Sequence, residues 1–240
     1  MAMKNLFRIF YKFKIYKEYK NILNILSGNK HFLSSHEKKE KLHQYFQQKN
    51  LSNYFSENQK NHLLSEAIKY KFSILEIFLQ NHFSIDEKNF YLLFNATKNN
   101  REENVFYIFQ KNKDIKIKNP NLFQEVMIHA VIDSIYWYNY DLFTLFMENG
   151  AKFTLTNTTL NYLMQSDSIS AKKIITDIIY KYKYEFTQEH KDWLNKKSKN
   201  TVINKNNQYC LQLLEKRDIF HQLADHLQIN ENMQEKLIKI

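Results

Sequence analysis

Three residue types in this chain could support chemistry: histidine for metal binding, glycine for a phosphate-binding loop, and cysteine for nucleophilic attack. The histidines form two pairs five residues apart, His31 with His36 and His221 with His226, and each pair supplies at most two ligands. A zinc site needs three or four convergent ligands. Two glycines, Gly28 and Gly150, cannot form a Gly-rich phosphate loop. We therefore expect no metal, no cofactor and no small-molecule substrate.

The single cysteine, Cys210, cannot form an intramolecular disulfide or a cysteine-based zinc site. It lies in the apolar run 210–214, which predicts a buried thiol and not a reactive nucleophile. A Ser/His/Asp triad assembles in space and leaves no fixed spacing, so the sequence alone does not exclude one. Because no nucleophile motif is present, we expect that the protein is not an enzyme.

Charge is the second chemical signal, because 35 Lys and Arg residues outweigh 25 Asp and Glu residues and give a formal net charge of +10. This excess has two interpretations: solubility of a lysine-rich chain, or an electrostatic surface for nucleic acid, an acidic protein or anionic lipid. The lysines cluster at 4–20, at Lys111, Lys113, Lys116 and Lys118, and at Lys191, Lys196, Lys197 and Lys199.

The elements that must position these residues are predicted to be helices. The chain is 43% hydrophobic but has only 2 Gly and 1 Pro, which favours helices joined by short polar turns. No apolar stretch approaches the ~20 residues of a membrane span. The N-terminus lacks the apolar core of a secretory signal. We expect a cytoplasmic protein, or one delivered into another cell by a route without such a signal.

A repeated sequence motif is the strongest pattern in the chain. An apolar helix end is followed by a polar turn and then by one isolated apolar residue, the anchor. The anchors are Leu51, Ile85, Ile117, Phe153, Phe186 and Ile219, and they are separated by 34, 32, 36, 33 and 33 residues. A preceding helix in each unit carries apolar residues at three- and four-residue spacing, as at 61–70, 89–98 and 121–132. Such helix pairs bury their apolar faces by stacking, which predicts a solenoid.

The unit resembles the ankyrin repeat. The closest correspondence is the segment 145–153, Leu-Phe-Met-Glu-Asn-Gly-Ala-Lys-Phe, and the alanine of the family's first-helix signature persists at Ala67, Ala96 and Ala130. The missing Gly and Pro imply remodelled turns, so another two-helix solenoid, HEAT-like or tetratricopeptide-like, stays open. The segment 132–140 accounts for the longest spacing, as an extended helix end or a protruding loop.

The predicted organisation is therefore an all-α, ankyrin-like solenoid in three parts. Residues 1–37 form basic and aromatic capping helices, residues 38–220 form five to six repeats, and residues 221–240 form a C-terminal capping helix. Solenoids need such caps, since a terminal repeat must present a polar outer face.

The resemblance implies a non-catalytic module that binds and blocks a partner protein, as an effector, inhibitor or immunity protein does. The alternative is a solenoid that binds nucleic acid through a lysine-rich surface. The candidate contact residues are aromatic anchors at 132–140 and polar residues in the turns: Tyr136, Trp137, Tyr138, Tyr140, His82, Lys113, Asp114, Lys116 and Lys152. Packing of Trp137 and Tyr140 between repeats is the competing interpretation of that aromatic segment.

Overall fold

A computed structural model describes the backbone of residues 2–27, 33–47, 55–196 and 198–238. It describes the side chains of these residues except 2–13 and 225–238. Several predicted features lie outside the described residues or side chains: the anchor Leu51, His31, His226, Lys197, and the lysines and aromatics up to residue 13.

The described residues form α-helices and one 3-10 helix and contain no β-strand, which confirms the all-α class. The chain divides into two compact units, Met1–Ala130 and Val131–Ile240, and the division falls within α8. Up to that point the helices are α1 Ala2–Ser27, α2 Ser35–Gln47, α3 Glu57–Ala67, α4 Phe72–Gln80, the 3-10 helix Glu87–Asn89, α5 Leu92–Lys98, α6 Glu102–Lys111, α7 Ile115–Lys118 and α8 Pro120–Tyr136. They continue with α9 Tyr140–Glu148, α10 Asn157–Met164, α11 Ile169–Tyr180, α12 Gln188–Asn195 and α13 Thr201–Ile238.

Polar side chains, and not Gly or Pro, start several of these helices. At α3 the Ser56 hydroxyl accepts from the Gln59 amide (3.3 Å), while the Gln59 side chain accepts from the Ser56 amide (3.1 Å). Thr187 and His190 form the same reciprocal pair at α12. Each cap satisfies amides that the first turn leaves unbonded and contributes roughly 1 kcal/mol.

Helices end in a left-handed turn at three of the predicted polar turns that precede an anchor residue. At these three turns the residues with positive φ are His82 after α4 (64°), Gly150 after α9 (89°) and Lys183 after α11 (53°). Glycine adopts this conformation freely, whereas a residue with a Cβ atom is strained there. The left-handed turn therefore forms at His82 and Lys183, although neither position has a glycine.

Backbone hydrogen bonds hold two of these turns closed. The Phe83 amide donates to the Phe78 carbonyl (3.1 Å), and the Ala151 amide donates to the Phe146 carbonyl (3.1 Å). This pattern satisfies carbonyls that the last helical turn leaves without partners.

Side-chain contacts recur at about the predicted repeat length within each unit. In the first unit, the rings of Phe46 and Phe78, and those of Phe90 and Phe123, lie 5.3 and 6.3 Å apart. In the second unit, the Tyr180 hydroxyl donates to the Leu213 carbonyl (2.9 Å). The members of each pair are 32 or 33 residues apart in sequence. The chain is thus repeat-like in its contacts as well as in its sequence.

Two buried asparagines make the same contact in the two units. The Asn104 side-chain amide donates to the carbonyls of Ile68 and Tyr70 (2.8 and 2.9 Å), where α3 gives way to α4. The Asn206 side-chain amide likewise donates to two carbonyls where α10 ends, those of Met164 and Ser166 (3.0 and 2.9 Å). We call these two residues the clamp asparagines. They are 102 residues apart, or three units of about 34.

The predicted anchors have different outcomes. Ile85, Phe153 and Phe186 are buried, as expected of residues that plug the gap between helix pairs. The prediction is wrong for Ile117, which is 85% exposed: the turn after α6 folds into the extra helix α7, and its buried residue is Ile115, two positions earlier.

Ile219 is also wrongly placed as an anchor, because it lies inside α13 and is 49% exposed. No polar turn precedes it, and α13 runs without a break past residues 220 and 221, where the C-terminal cap was expected to begin. Among the described residues, no helix is long and apolar enough to cross a lipid bilayer.

Candidate binding surfaces

The polar candidates lie in the turns between successive helix pairs. His82 occupies the left-handed position after α4, and Lys152 lies in the extended segment after α9; both are exposed. The other three surround the short helix α7 and are exposed too: Lys113, Asp114 and Lys116. Two of these charges already interact within the chain. Asp114 forms an ion pair with Lys118 (3.9 Å), and the Lys116 ammonium lies 6.0 Å from the Phe123 ring centre.

The aromatic candidates form a cluster where α8 turns into α9. The Tyr136 ring packs edge-on against Trp137 and Tyr162 (5.2 and 5.1 Å), and the Tyr138 hydroxyl donates to the Tyr162 carbonyl (3.1 Å). Tyr136 and Trp137 are nevertheless 48% and 44% exposed. Segment 132–140 is therefore an extended helix end followed by a turn. Its rings pack on each other and are also partly exposed to solvent.

Tyr140 belongs to a polar network between α9 and α11 and not to the exposed cluster. Its hydroxyl donates to the Asp177 carboxylate (2.9 Å), and the Lys173 ammonium lies 5.3 Å from its ring centre. The hydrogen bond to Asp177 is the main reason why the pKa of Tyr140 is raised. Because the Tyr140 hydroxyl stays protonated and already donates to Asp177, its role is to join α9 to α11.

The structure does not bring these candidates into one site in the second unit. Lys152 follows the C-terminal end of α9, whereas Tyr136, Trp137 and Tyr138 precede its N-terminal end. Nine residues of helix span about 13 Å. A partner that contacts both groups must cover the length of α9.

A third surface was not predicted from the sequence. A groove of about 480 Å³ lies along the end of α11 and the middle of α13. Its apolar lining comes from Ile179, Tyr180, Phe220 and Ala224. Phe220 is 75% exposed, and its neighbours on α13, Ile219 and Leu223, are also exposed. We call this surface the α13 groove.

The polar lining of the α13 groove is basic: Lys183, Lys216, Arg217 and His221. Arg217 is held in place, since its guanidinium donates to the Tyr184 carbonyl (3.1 Å) and to the Asp218 carboxylate (3.3 Å). The side chains of Lys183 and Lys216 form no hydrogen bond or ion pair with the residues that the structure describes. The groove therefore combines exposed apolar area with two lysines that form no ion pair with any described residue.

The α13 groove was missed because Ile219 fitted the repeat spacing and was interpreted as a buried anchor. One signal was present in the sequence. Ile219, Phe220 and Leu223 lie within the helical segment 215–224, which otherwise carries mostly charged and polar residues.

Cys210 has the environment that the sequence predicts for a structural thiol. It is completely buried in α13, and this burial raises the pKa of the Cys210 thiol to about 12. Attack requires the thiolate, which is scarce at neutral pH when the pKa is so high. Elsewhere in the described part of the chain, no three His, Cys, Asp or Glu side chains converge as metal ligands would.

Several lysines are interspersed with carboxylates on the described surface. Ion pairs join Lys60 with Glu57 (2.9 Å), Lys181 with Glu148 (2.8 Å) and Lys191 with Asp218 (3.3 Å). Exposed pairs of this kind contribute little stability. They do reduce the positive charge at these three places.

Comparison of the chain with protein-family models, with curated proteins and with solved structures finds no match.

Proposed function

We propose that this chain is an ankyrin-like, non-catalytic module that engages a partner protein and blocks it by covering its surface. The observation that carries the proposal is the α13 groove, where exposed apolar side chains adjoin Lys183 and Lys216. Exposed apolar patches rimmed by polar residues are typical of protein interfaces, and their aromatic residues dominate binding energy. The repeat-like contacts support a rigid scaffold for such a surface.

The exposed Tyr136 and Trp137 supply a second aromatic surface for the same role. Half of a standard protein interface is about 800 Å², more than the groove alone offers. In the second unit, the turn that holds Lys152 would add a polar contact. In the first unit, the inter-pair turns that hold His82, Lys113, Asp114 and Lys116 are separate candidate contacts, of the kind that the finger-like turns make in ankyrin proteins. The basic groove would accelerate encounter with an acidic partner.

Nucleic-acid binding is the second candidate function. Its support is the position of Tyr180 and Phe220, two exposed rings beside the cations of the α13 groove. Single-stranded nucleic acids bind to such combinations through base stacking and phosphate contacts. Ile219 and Leu223 favour a protein instead, because aliphatic side chains offer no stacking surface.

The experiment that tests the proposed function is affinity capture of the tagged full chain from its own cells, with nuclease, at near-physiological and raised salt. We expect one stoichiometric protein to survive both treatments. Material that disappears with nuclease, with no protein retained, would overturn the proposal in favour of nucleic acid, whose binding weakens steeply with salt.

A variant pair then links the captured protein to a surface. Phe220→Ser with Leu223→Ser removes exposed apolar area from the lining of the α13 groove and from the α13 surface beside it. Phe106→Ser with Ile169→Ser removes exposed apolar area outside it, at residues that are 46% and 75% exposed. We expect only the first pair to reduce capture, with unchanged circular dichroism for both.

A further inference from the structure

We infer that the α13 groove binds an acidic, extended or helical segment of a partner protein, one that carries a bulky apolar side chain flanked by carboxylates. The inference rests on the proposed function and names the chemistry of its partner. The groove is lined by Ile179, Tyr180, Phe220 and Ala224 and by the cations Lys183, Lys216 and Arg217.

The size of the α13 groove fits a side chain better than a flat surface. Its volume of about 480 Å³ falls within the range of roughly 300–1,000 Å³ that is typical of pockets for compact ligands. An apolar side chain inserted against Phe220 would remove from water a ring that is now 75% exposed. A concave apolar surface favours an inserted side chain over a lipid bilayer, to which proteins present a protruding helix face.

The charges of the α13 groove select an acidic partner. Lys183 lies in the turn after α11 and Lys216 in the helix α13, and both line the groove, so a segment bound there would meet a cation from each element. Each lacks a carboxylate among the described residues, whereas Arg217 is already bonded to Asp218. A carboxylate of the partner would supply the counter-charge that the described residues do not provide.

A second copy of this chain is a poor occupant. The chain has a formal net charge of +10, so two copies repel each other, and the groove that would be shared is itself basic. Charge complementarity therefore points to a different protein.

The test is selection of a displayed random dodecapeptide library on the immobilised full chain. We expect enriched peptides to combine Asp or Glu with Trp, Phe or Leu. Their binding, measured by fluorescence polarisation, should weaken roughly tenfold with Lys183→Glu and Lys216→Glu together, and more at low salt than at high salt. Lys39→Glu with Lys88→Glu makes the same change in net charge at exposed positions outside the groove and should leave binding within about twofold.

Three outcomes would overturn the inference. The first is a selected set without acidic enrichment, and the second is a set whose binding survives both the groove charge reversal and Phe220→Ser. The third is tighter binding of a labelled twelve-nucleotide oligouridylate, or of phosphatidylserine vesicles, than of any selected peptide. A partner protein captured equally well by the groove variants would leave the proposed function standing and sink only the assignment of the α13 groove.

Discussion

The two clamp asparagines sit in equivalent helices, but the helices end very differently. After Asn104, α6 ends at Lys111, and the chain turns into α7, which buries Ile115. After Asn206, α13 continues as far as Ile238 and leaves Ile219, Phe220 and Leu223 exposed. The comparison teaches that the clamp is the repeated structural element, while the candidate binding surface lies where the repeat pattern is broken.

The largest effect should come from charging the clamps. Asn104→Asp or Asn206→Asp places a buried carboxylate against two carbonyl oxygens and removes both donated hydrogen bonds. We expect each variant to lose about 3–5 kcal/mol of unfolding free energy in urea titration, since an unpaired buried charge is strongly destabilising. Asn121→Asp, at an exposed position in the first turn of α8, should be neutral or slightly stabilising. If the control and the clamp variants lose the same unfolding free energy, the two buried asparagines do not act as clamps.

The thiol of Cys210 reports on the second unit alone, because the chain has no other cysteine. With a pKa of about 12, few thiols are ionised at pH 8, whereas the unfolded chain has an ordinary pKa near ~8.5. We expect Ellman's reagent to label the native protein at least ~1,000-fold more slowly than the protein in guanidinium chloride.

The two clamp variants should differ in this labelling assay. Asn206→Asp disturbs α13 one helical turn before Cys210, so it should accelerate labelling more than Asn104→Asp does. The reverse order would mean that the second clamp is not what protects the thiol.

The turn after α6 offers a smaller and sharper test of the anchor assignment. Ile115→Ala removes a side chain that is only 3% exposed and should cost about 2–3 kcal/mol. Ile117→Ala, two residues later and 85% exposed, should cost less than about 0.5 kcal/mol. Thermal or urea unfolding of both variants decides which isoleucine plugs the repeat, and a larger loss at Ile117 would restore the anchor expected from sequence spacing.

The smallest expected effect is a gain in stability at the left-handed turns. His82→Gly and Lys183→Gly relieve a strained positive φ and should stabilise by roughly 0.5 kcal/mol each, after the entropic cost of glycine. The two substitutions should differ in function: Lys183→Gly removes a cation of the α13 groove and weakens binding of selected peptides, while His82→Gly leaves it unchanged. Loss of stability in both would show that side-chain contacts outweigh the strain.

The sequence predicted the helical class and three of the buried anchors because these depend on local periodicity. Ile85, Phe153 and Phe186 follow helix ends at a regular spacing, and the structure buries all three. The spacing failed at Ile117 and Ile219. A two-residue shift into α7, or an uninterrupted helix, depends on tertiary packing that spacing does not encode.

The candidate surfaces were less predictable than the fold. Exposure of Tyr136 and Trp137 was one of two interpretations that the sequence left open, the other being packing between repeats. The packing of Tyr136 on Tyr162 was not predicted, because Tyr162 belongs to a different helix. The α13 groove combines Lys183 with Phe220, which lie 37 residues apart in sequence. Only the packing of α11 against α13 brings them together.

The left-handed turns also have an evolutionary consequence. Hydrogen bonds between backbone atoms close the turns after α4 and α9, so the residue at the positive-φ position contributes no side chain to that closure. His82, Gly150 and Lys183 already place an imidazole, a hydrogen atom and an ammonium at this one location. Such a site can diversify by point mutation, at a modest energetic cost, while the architecture beneath it stays constant. The backbone of these turns therefore places few constraints on the chemistry that their side chains present to solvent.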